Sequence, residues 1–313
     1  MVDAYYSDAN LDAELGCVLQ RAFGYIPSVD LIPVPRGTSD RRRAFAFRDP
    51  ELPPAVLLLR YPREEMFAAL RAFHVLQALQ GVVFHAAPQV FYMSWEHFEG
   101  EVLLMLEYVF GRSVEGHPVA FFARTGTDFA ATLAQLHQIP WPTMPELPRV
   151  SFMDVLRTLG AQVQALGVLP LRELFRRLWE WAPEIWERPY CVIHGRYTLE
   201  SVVSLQTRVV AVYDWEQAAL ADARLDFGYA CAQLSAHRLQ MAEAFIDVYT
   251  REAGPLQDAR FWIALGGLRV LVELTEAIRA LPGPNHAALR QELGVQWRNV
   301  FAFASEQAGL ALP

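Results

Sequence analysis

Lysine is absent from this sequence, and all 27 basic residues are arginine. A primary amine on a side chain is needed for a Walker A phosphate loop, for a pyridoxal Schiff base and for a lysyl nucleophile. The absence of lysine therefore excludes these three kinds of site.

Cysteine is scarce as well. Cys17, Cys191 and Cys231 lie far apart and form no CxxC pair, so the sequence predicts neither a zinc cluster nor a disulfide framework. The nearness of Cys191 to His194 suggests a thiol nucleophile as one hypothesis. The apolar run PYCVIHG is more typical of a buried strand, and we expect a reduced core cysteine there.

The sequence also lacks long apolar runs and a basic surface. No stretch of eighteen apolar residues is free of charge, and the first residues are acidic where a signal peptide begins with positive charge. The formal net charge is −8, and the one dense basic run, Arg41–Arg43, is typical of an exposed loop. We therefore expect a cytoplasmic protein that binds neither a membrane nor nucleic acid.

The composition that is present predicts an ordered protein with a large core. Of the 313 residues, 53% are hydrophobic and 20% are charged, which suits one large domain or two lobes. Apolar residues at helical spacing from Leu11 to Phe23 predict a first helix, and short apolar runs between turns predict strands. The predicted strands cover residues 31–34, 44–47, 56–60, 89–93 and 101–106, and a second helix covers 64–80.

From Gly111 onward the pattern is mainly helical. The predicted helices cover residues 121–137, 152–166, 171–182, 238–251, 259–281 and 286–307, and short strands cover 190–194, 202–205 and 209–214. The sequence thus predicts an α+β fold with two lobes. The N-terminal lobe, residues 1–107, contains a mixed sheet and a helix, and the larger, mainly helical C-terminal lobe, residues 108–313, carries a hairpin at about 190–216.

The most specific pattern is CVIHGRYTLESVVSLQTRVVAVYDWEQAALADARLDFGYA, residues 191–230. It resembles the signature of aminoglycoside phosphotransferases, choline kinases and related small-molecule kinases. That signature has an apolar strand, His-Gly-Asp, four variable residues, an Asn, a hairpin, and a strand that ends in Asp-Trp or Asp-Phe. Here His194-Gly195 matches the His-Gly pair and Asp214-Trp215 matches the strand end. The resemblance implies a protein-kinase-like fold and an ATP-dependent phosphotransferase family.

Weaker similarities extend along the rest of the chain. Residues 37–40 resemble the nucleotide loop of the family, Arg60 stands where a phosphate-contacting cation sits, and residues 103–111 resemble the hinge between the lobes. These similarities imply a cofactor, ATP or GTP with magnesium. The positions that would bind it are Gly37, Ser39, Arg60, Glu107 and Ser201, with Asp214 as metal ligand.

The catalytic loop departs from the family pattern at two positions. Arg196 occupies the place of the Asp that accepts the substrate's proton, and a guanidinium has no lone pair with which to act as a base. Ser201 replaces the Asn that offers an amide oxygen to magnesium, so Asp214 is the one strong metal ligand left. The loss of a positioned base alone typically costs about 10²–10⁴ in rate.

A third departure concerns Arg60. The helix residue that pairs with this cation is Glu in many relatives, whereas Ala72 stands at that position here. We expect Arg60 to lack its usual partner unless Glu64 or Glu65 supplies the carboxylate.

Three functions are consistent with this combination. The leading prediction is a pseudokinase or very weak kinase that binds a nucleotide or a small anionic ligand in the cleft between the lobes, with magnesium binding weakened or lost. The alternative is an active ATP-dependent kinase for a hydroxyl- or amine-bearing metabolite, in which Glu200 or Glu216 serves as a relocated base. The third is an interaction scaffold that has an empty cleft and a protein partner.

The individual loop residues also carry expectations. Of the three positions assigned to the catalytic machinery, Arg196 is the degenerate base position, and His194 is expected to hydrogen-bond the loop backbone. Asp226 is expected to anchor the same loop. Asp214, at the end of the apolar strand VVAVYD, is expected to bind a ligand or to form an ion pair. Because Arg196 and Asp214 would share one cleft, we further expect them to pair with each other.

Overall fold

The computed structural model describes residues 8–32, 42–82, 84–94, 101–114, 117–139, 147–281 and 284–311. The chain forms two compact units, the first comprising Met1–Val83 and Ala87–Phe110 and the second Phe84–Ala86 and Gly111–Pro313. This division falls three residues after the predicted one and assigns a short early segment to the second unit. The segment is tied there because Val212 N donates to Ala86 O at 2.8 Å.

Among its described residues, the first unit contains one antiparallel sheet and two α-helices. Its elements are α1 (Asp8–Phe23), β1 (Val29–Ile32), β2 (Arg42–Phe47), β3 (Ala55–Pro62), α2 (Met66–Gln80), β4 (Val90–Met93) and β5 (Glu101–Glu107). The strand order is β1-β2-β3-β5-β4. The elements agree with the predicted ones, apart from shifts of a few residues at their ends.

The sheet differs from the predicted mixed sheet, since all four strand pairings among its described residues are antiparallel. A parallel pair would arise if β4 followed α2 into the place beside β3. Instead β5 occupies that place and runs opposite to β3, and β4 lies outside it.

The two central strands of this sheet are buried almost throughout. Alternate residues point to opposite faces of a strand, and the residues of one face form a core with α1. The members of this core are Val18, Leu19, Phe45, Val56, Leu58, Leu103 and Met105. The helix α2 packs against β3, β4 and β5. Each fully buried Leu or Val stabilises the folded unit by roughly 1.5–3 kcal/mol relative to exposure.

The second unit is mainly helical. Its helices are α3 (Pro118–His137), α4 (Phe152–Leu166), α5 (Leu169–Trp181), α6 (Arg224–His237), α7 (Leu239–Ala253), α8 (Ala259–Ala280) and α9 (Ala287–Ala308). Its strands are β6 (Cys191–Ile193), β7 (Val202–Leu205), β8 (Arg208–Val212) and β9 (Ala219–Ala221), which form the antiparallel pairs β6–β9 and β7–β8. The structure thus confirms the α+β class with a sheet lobe and a helical lobe. Among the described residues, no helix is both long enough and apolar enough to cross a membrane.

Two elements, α6 and β9, have no counterpart in the sequence prediction. Eleven of the fourteen residues of α6 are buried, on all sides of the helix. A helix that is buried all round has no polar face, so its sequence lacks the periodicity by which helices are recognised. The strand β9 contains only three residues, which is too short for an alternating pattern.

The centre of the helical unit is a close crossing of α6 and α8. A Cβ added at Gly228 would lie 2.0 Å from the carbonyl oxygen of Trp262, and one added at Gly266 would lie 2.2 Å from the carbonyl carbon of Gly228. The two backbones are therefore in direct contact, and only glycine permits this approach.

A buried ion pair anchors the start of α6. Arg224, 1% exposed, donates from Nη2 to Asp222 Oδ2 at 2.7 Å and to the carbonyl oxygen of Trp186 at 2.6 Å, and its guanidinium lies 4.5 Å from the ring centre of Trp262. Because every charged group here has partners, the cost of burying the pair is offset locally.

Candidate functional site

The residues of the catalytic-loop pattern lie where β6 and β8 end. His194 directly follows β6, and Asp214 lies two residues beyond β8. These strands belong to different antiparallel pairs. The His194 side chain joins their ends, because its Nε2 lies 2.8 Å from the carbonyl oxygen of Tyr213.

The partners of His194 define its protonation. A carbonyl oxygen only accepts hydrogen bonds, so Nε2 must carry the proton that it donates to Tyr213. The other ring nitrogen, Nδ1, accepts from the backbone N–H of Arg196 at 3.3 Å. His194 is therefore a neutral imidazole whose two nitrogens are both engaged, and it is fully buried. This confirms the expectation that it hydrogen-bonds the loop backbone.

Gly195 allows the chain to turn sharply after His194. Its φ is +83°, and a Cβ at this position would lie 2.1 Å from the carbonyl oxygen of Gln217. Both features require glycine. The turn at Gly195 thus determines the position of the Arg196 backbone.

Asp226 anchors the same turn, as expected, by accepting hydrogen bonds from its backbone. Its Oδ2 accepts from His194 N at 2.6 Å and its Oδ1 from Gly195 N at 2.8 Å. His137 adds a contact from Nε2 at 3.4 Å, and its Nδ1 lies 2.6 Å from Tyr249 Oη. Burial raises the pKa of Asp226, but His137 and the hydrogen bond from the backbone N–H of His194 lower it by more, so the net shift is downward.

Arg196 itself contacts a network on α6 and α8 that sequence reasoning missed. Its Nε lies 3.4 Å from Tyr229 Oη, which donates to Glu273 Oε2 at 2.8 Å. Arg269 lies over the Tyr229 ring at 4.3 Å and donates from Nη2 to Gln217 Oε1 at 2.6 Å. Burial and the charge of Glu273 raise the pKa of Tyr229 to about 12, so this phenol stays protonated.

The predicted ion pair between Arg196 and Asp214 is not formed. The direct hydrogen bond of the Arg196 side chain goes to Tyr229, and Asp214 acts on it as a more distant charge. Burial lowers the pKa of Arg196, whereas Tyr229, Glu273 and Asp214 raise it by more. Arg196 therefore remains a cation, and it has no capacity to act as a base.

Ser201 is used by the loop. Its hydroxyl donates to the carbonyl oxygen of Thr198 at 2.8 Å and accepts from Thr198 N at 3.2 Å, and the residue is 1% exposed. This closes a turn between Arg196 and β7. The hydroxyl that would replace the family's amide oxygen is thus already engaged with the backbone.

Asp214 is half-buried and has a left-handed backbone, with φ 66° and ψ 47°. Asp tolerates this region better than most residues, yet it is uncommon and often marks a functional position. Within the described ranges, no group of three or more His, Cys, Asp or Glu side chains is arranged to hold a metal ion. One carboxylate, an engaged hydroxyl and a neighbouring guanidinium fit a magnesium ion poorly.

The hypothesis of a thiol nucleophile at Cys191 is wrong. Cys191 is buried in β6, opposite Ala221 of β9. Burial and the charges of Asp226 and Asp222 raise its pKa well above the ordinary value, so the thiol stays protonated. It is a core residue.

In the first unit, Arg60 has a carboxylate partner that none of the sequence hypotheses named. Its Nε donates to Glu101 Oε2 at 2.6 Å, and Glu101 belongs to the neighbouring strand β5. Ala72 is buried in α2, as its apolar side chain requires. The sequence predicts that Arg60 lacks its usual helix partner unless Glu64 or Glu65 supplies a carboxylate. The carboxylate that pairs with it comes instead from the neighbouring strand.

The other cofactor positions in the first unit are only partly described. Glu107 ends β5, and its Oε2 accepts from the backbone N–H of Gln89 at 3.1 Å. Gly37 and Ser39 lie outside the described residues. The nucleotide loop predicted around them stays a prediction.

The antiparallel sheet unit, the helical unit, and the strand ends joined by a His-Gly loop define a protein of the kinase-like phosphotransferase class. A model of the phosphotransferase enzyme family matches residues 30–280. The chain therefore belongs to this family. No curated protein matches it.

Solved structures support the fold. The aminoglycoside phosphotransferase APH(4)-Ia is similar with a TM-score of 0.66 and 14% identity, covering 96% of this chain and 100% of that one. Macrolide 2'-phosphotransferase MphH from Brachybacterium faecium has a TM-score of 0.61 and 17% identity, covering 90% and 97%. Aminoglycoside 2'-phosphotransferase-IIIa, solved with GDP, has a TM-score of 0.60 and 16% identity, covering 94% and 99%.

Proposed function

We propose that this protein is a pseudokinase or very weak kinase that binds a nucleotide, and that the Arg196 guanidinium supplies positive charge to the bound phosphates in place of the magnesium that the sequence resemblance implies. The observation that carries the proposal is the cation directly after His194-Gly195, which is exposed and can therefore reach a bound phosphate. Tyr229 contacts the Arg196 side chain, and the backbone turn at Gly195 determines the position of the Arg196 main chain. Phosphoryl transfer depends mainly on positioning and charge, so a cation in place of the base removes turnover before it removes binding.

The preference for a nucleotide comes from the family. Similar structures have been solved as complexes with AMP-PNP and hygromycin B, with ADP and hygromycin B, and with GDP. In the first unit we propose Arg60 as the phosphate-contacting cation, since Glu101 holds its Nε on one side and the side chain is 11% exposed. An orientation held by a charge-assisted hydrogen bond reduces the entropy lost on binding.

The alternative, an active kinase, is favoured by one observation, the Asp214 carboxylate at the strand end. It needs a base from Glu200 or Glu216. Glu200 is exposed and close enough to the end of α6 to act on His237, whose pKa is lowered by burial and raised in part by Glu200 and Glu292. Glu216 lies half-buried in the turn after Asp214. Neither carboxylate is held by the His-Gly turn that positions residue 196.

Binding of ADP and ATP, measured by calorimetry with magnesium and with EDTA, tests the proposal. We expect binding to persist in EDTA. Replacing Arg196 with Gln is expected to weaken it about tenfold or more, because a hydrogen bond to a charged group is worth about 1.5–3 kcal/mol. Arg157→Gln, at an exposed site on α4, is the matched control and should bind like the wild type.

Turnover separates the proposal from its alternatives. Labelled ATP is incubated with a panel of aminoglycosides, choline, homoserine and sugars. Robust transfer that Asp214→Ala abolishes would establish the active kinase and end the pseudokinase proposal. Absence of both binding and turnover would leave the scaffold, and isolation of complexes from the native cell would then identify a partner. Cell fractionation would test the cytoplasmic location that we propose.

A further inference from the structure

The helical unit has a concave site between α3 and α7. The cavity has a volume of about 470 Å³, within the range of roughly 300–1,000 Å³ that small-molecule sites occupy. The loop residues His194, Arg196, Ser201 and Asp214 are not part of its lining. The cavity is therefore lined by other residues than those of the proposed nucleotide site in the helical unit.

The floor of the cavity is apolar. Phe122 of α3 and Met241 of α7, both largely buried, form part of it, together with Val119 and Val248. Burial of an apolar ligand surface here would contribute roughly 25 cal/mol per Å² removed from water. A ligand with an apolar body of modest size fits this floor.

The rim carries two exposed arginines, Arg124 from α3 and Arg238, which directly precedes α7. Among the described residues, neither guanidinium has a hydrogen-bond or ion-pair partner, whereas exposed arginines such as Arg157 and Arg176 pair with carboxylates on their own helices. No Asp or Glu is among the described residues that line the cavity. In a protein of net charge −8, this is a local excess of positive charge.

Two guanidiniums beside an apolar floor select for one ligand chemistry. Arg presents paired N–H donors that match the two oxygens of a carboxylate or phosphate. A neutral apolar molecule would leave these donors unused, and a cation would be repelled. Thr127 and Gln240 add neutral polar groups at the same cavity.

We propose that the α3–α7 cavity binds a small amphipathic oxyanion, with its charged head on Arg124 and Arg238 and its apolar body against Phe122 and Met241. The head group is a carboxylate or a phosphate monoester. The shared chemistry is an anionic oxygen pair on a chain or ring of moderate size.

Calorimetric titration of the full chain with decanoate, decyl phosphate and 1-decanol tests this proposal. We expect saturable binding of at least one anion at a stoichiometry near one, and binding of the alcohol that is weaker by about tenfold or more. Comparison of decanoate with decyl phosphate shows which head group the arginines prefer. Equal binding of all three ligands, or saturable binding of none, would overturn the proposal.

Variants locate the site. Arg124→Gln with Arg238→Gln is expected to weaken anion binding about tenfold or more, while Arg172→Gln, an exposed arginine on α5, leaves it unchanged.

Ala244→Trp fills the cavity from an exposed helix position and is expected to block binding, whereas Ala288→Trp on α9 is its matched control. Arg196→Gln must leave decanoate binding unchanged. If neither cavity variant alters the affinity of a folded protein, the ligand binds elsewhere and the assignment is wrong.

Discussion

At residue 196 both the type of side chain and its surroundings favour a positive charge. The guanidinium is a cation at every accessible pH, Tyr229 and Glu273 favour its charged form, and Asp214 adds a more distant negative charge. His194 offers no substitute base, because both of its ring nitrogens are committed to the backbone. The loop thus contains the His194-Gly195 pair of the family pattern, whereas the side chain of residue 196 offers no proton acceptor.

Restoring the family residues is the direct test at this scale. The double variant Arg196→Asp with Ser201→Asn is expected to raise ATP hydrolysis or transfer above the wild-type level by about 10²–10⁴, the usual worth of a positioned base. Release of labelled phosphate measures the gain. Adding Asp214→Ala to the same variant should abolish the gain. If the folded double variant shows no activity, restoring these two residues is not sufficient for turnover.

Single residues also show what sequence can predict. The roles of His194 and Asp226 were predictable because their residue types stand in a specific pattern with fixed spacing. The pairs Tyr229–Glu273 and Arg60–Glu101 were not, since their members are separated by 44 and 41 residues and no periodicity links them. The absence of an Arg196–Asp214 pair has the same origin. The Arg196 side chain contacts Tyr229 instead of Asp214, and no sequence pattern predicts that Tyr229 lies beside the loop.

Among the elements, the crossing of α6 and α8 has the least room for change. Gly228→Ala is expected to lower the free energy of unfolding by about 1–3 kcal/mol or more, because the added methyl group overlaps the carbonyl of Trp262. Urea denaturation followed by circular dichroism measures this change.

The same substitution at a different helix position is the control. Gly294 lies in α9, and its added Cβ would meet only the tip of Arg298, at 3.8 Å. Gly294→Ala is expected to stabilise the protein by roughly 0.5–1 kcal/mol, since alanine loses less backbone entropy in a helix. Equal effects of the two substitutions would contradict the close crossing.

Most elements were predictable from periodicity, and the failures have physical causes. Amphipathic helices such as α4 and α5 carry their pattern in the sequence, and α4 also has a Ser151 cap that accepts from Asp154 N. The helix α6 carries no such pattern, because its environment is apolar on every side. The antiparallel sheet could not be distinguished from a mixed one, since the place of β5 beside β3 depends on packing between strands.

For the whole molecule, Asp226 makes the free energy of unfolding depend on pH. Its pKa is lowered in the folded state from an ordinary value of 3.8. A lowered carboxyl pKa stabilises the fold above that ordinary value, and this contribution is lost as the pH falls through the lower, folded pKa. Stability is therefore expected to decline below about pH 4, where unfolding begins to take up protons.

Denaturation of the wild type and of Asp226→Asn, at several pH values between 7 and 3, tests this coupling. The variant is expected to be less stable at pH 7 by about 1–3 kcal/mol, the cost of an unsatisfied buried donor. The difference should narrow as the pH falls below 3.8. Asp247→Asn, an exposed carboxylate on α7, is the control. A difference that does not vary with pH would exclude the lowered pKa as its cause.

The membership of Phe84–Ala86 in the helical unit has a practical meaning for anyone who divides this protein. The chain passes from one unit to the other three times, so no single cut yields two complete pieces. A fragment that begins at Gly111 would leave the Val212 amide without its Ala86 acceptor and would remove Phe84 from the Trp215 ring. To produce the helical unit separately, residues Phe84–Ala86 would have to be fused to the fragment that begins at Gly111.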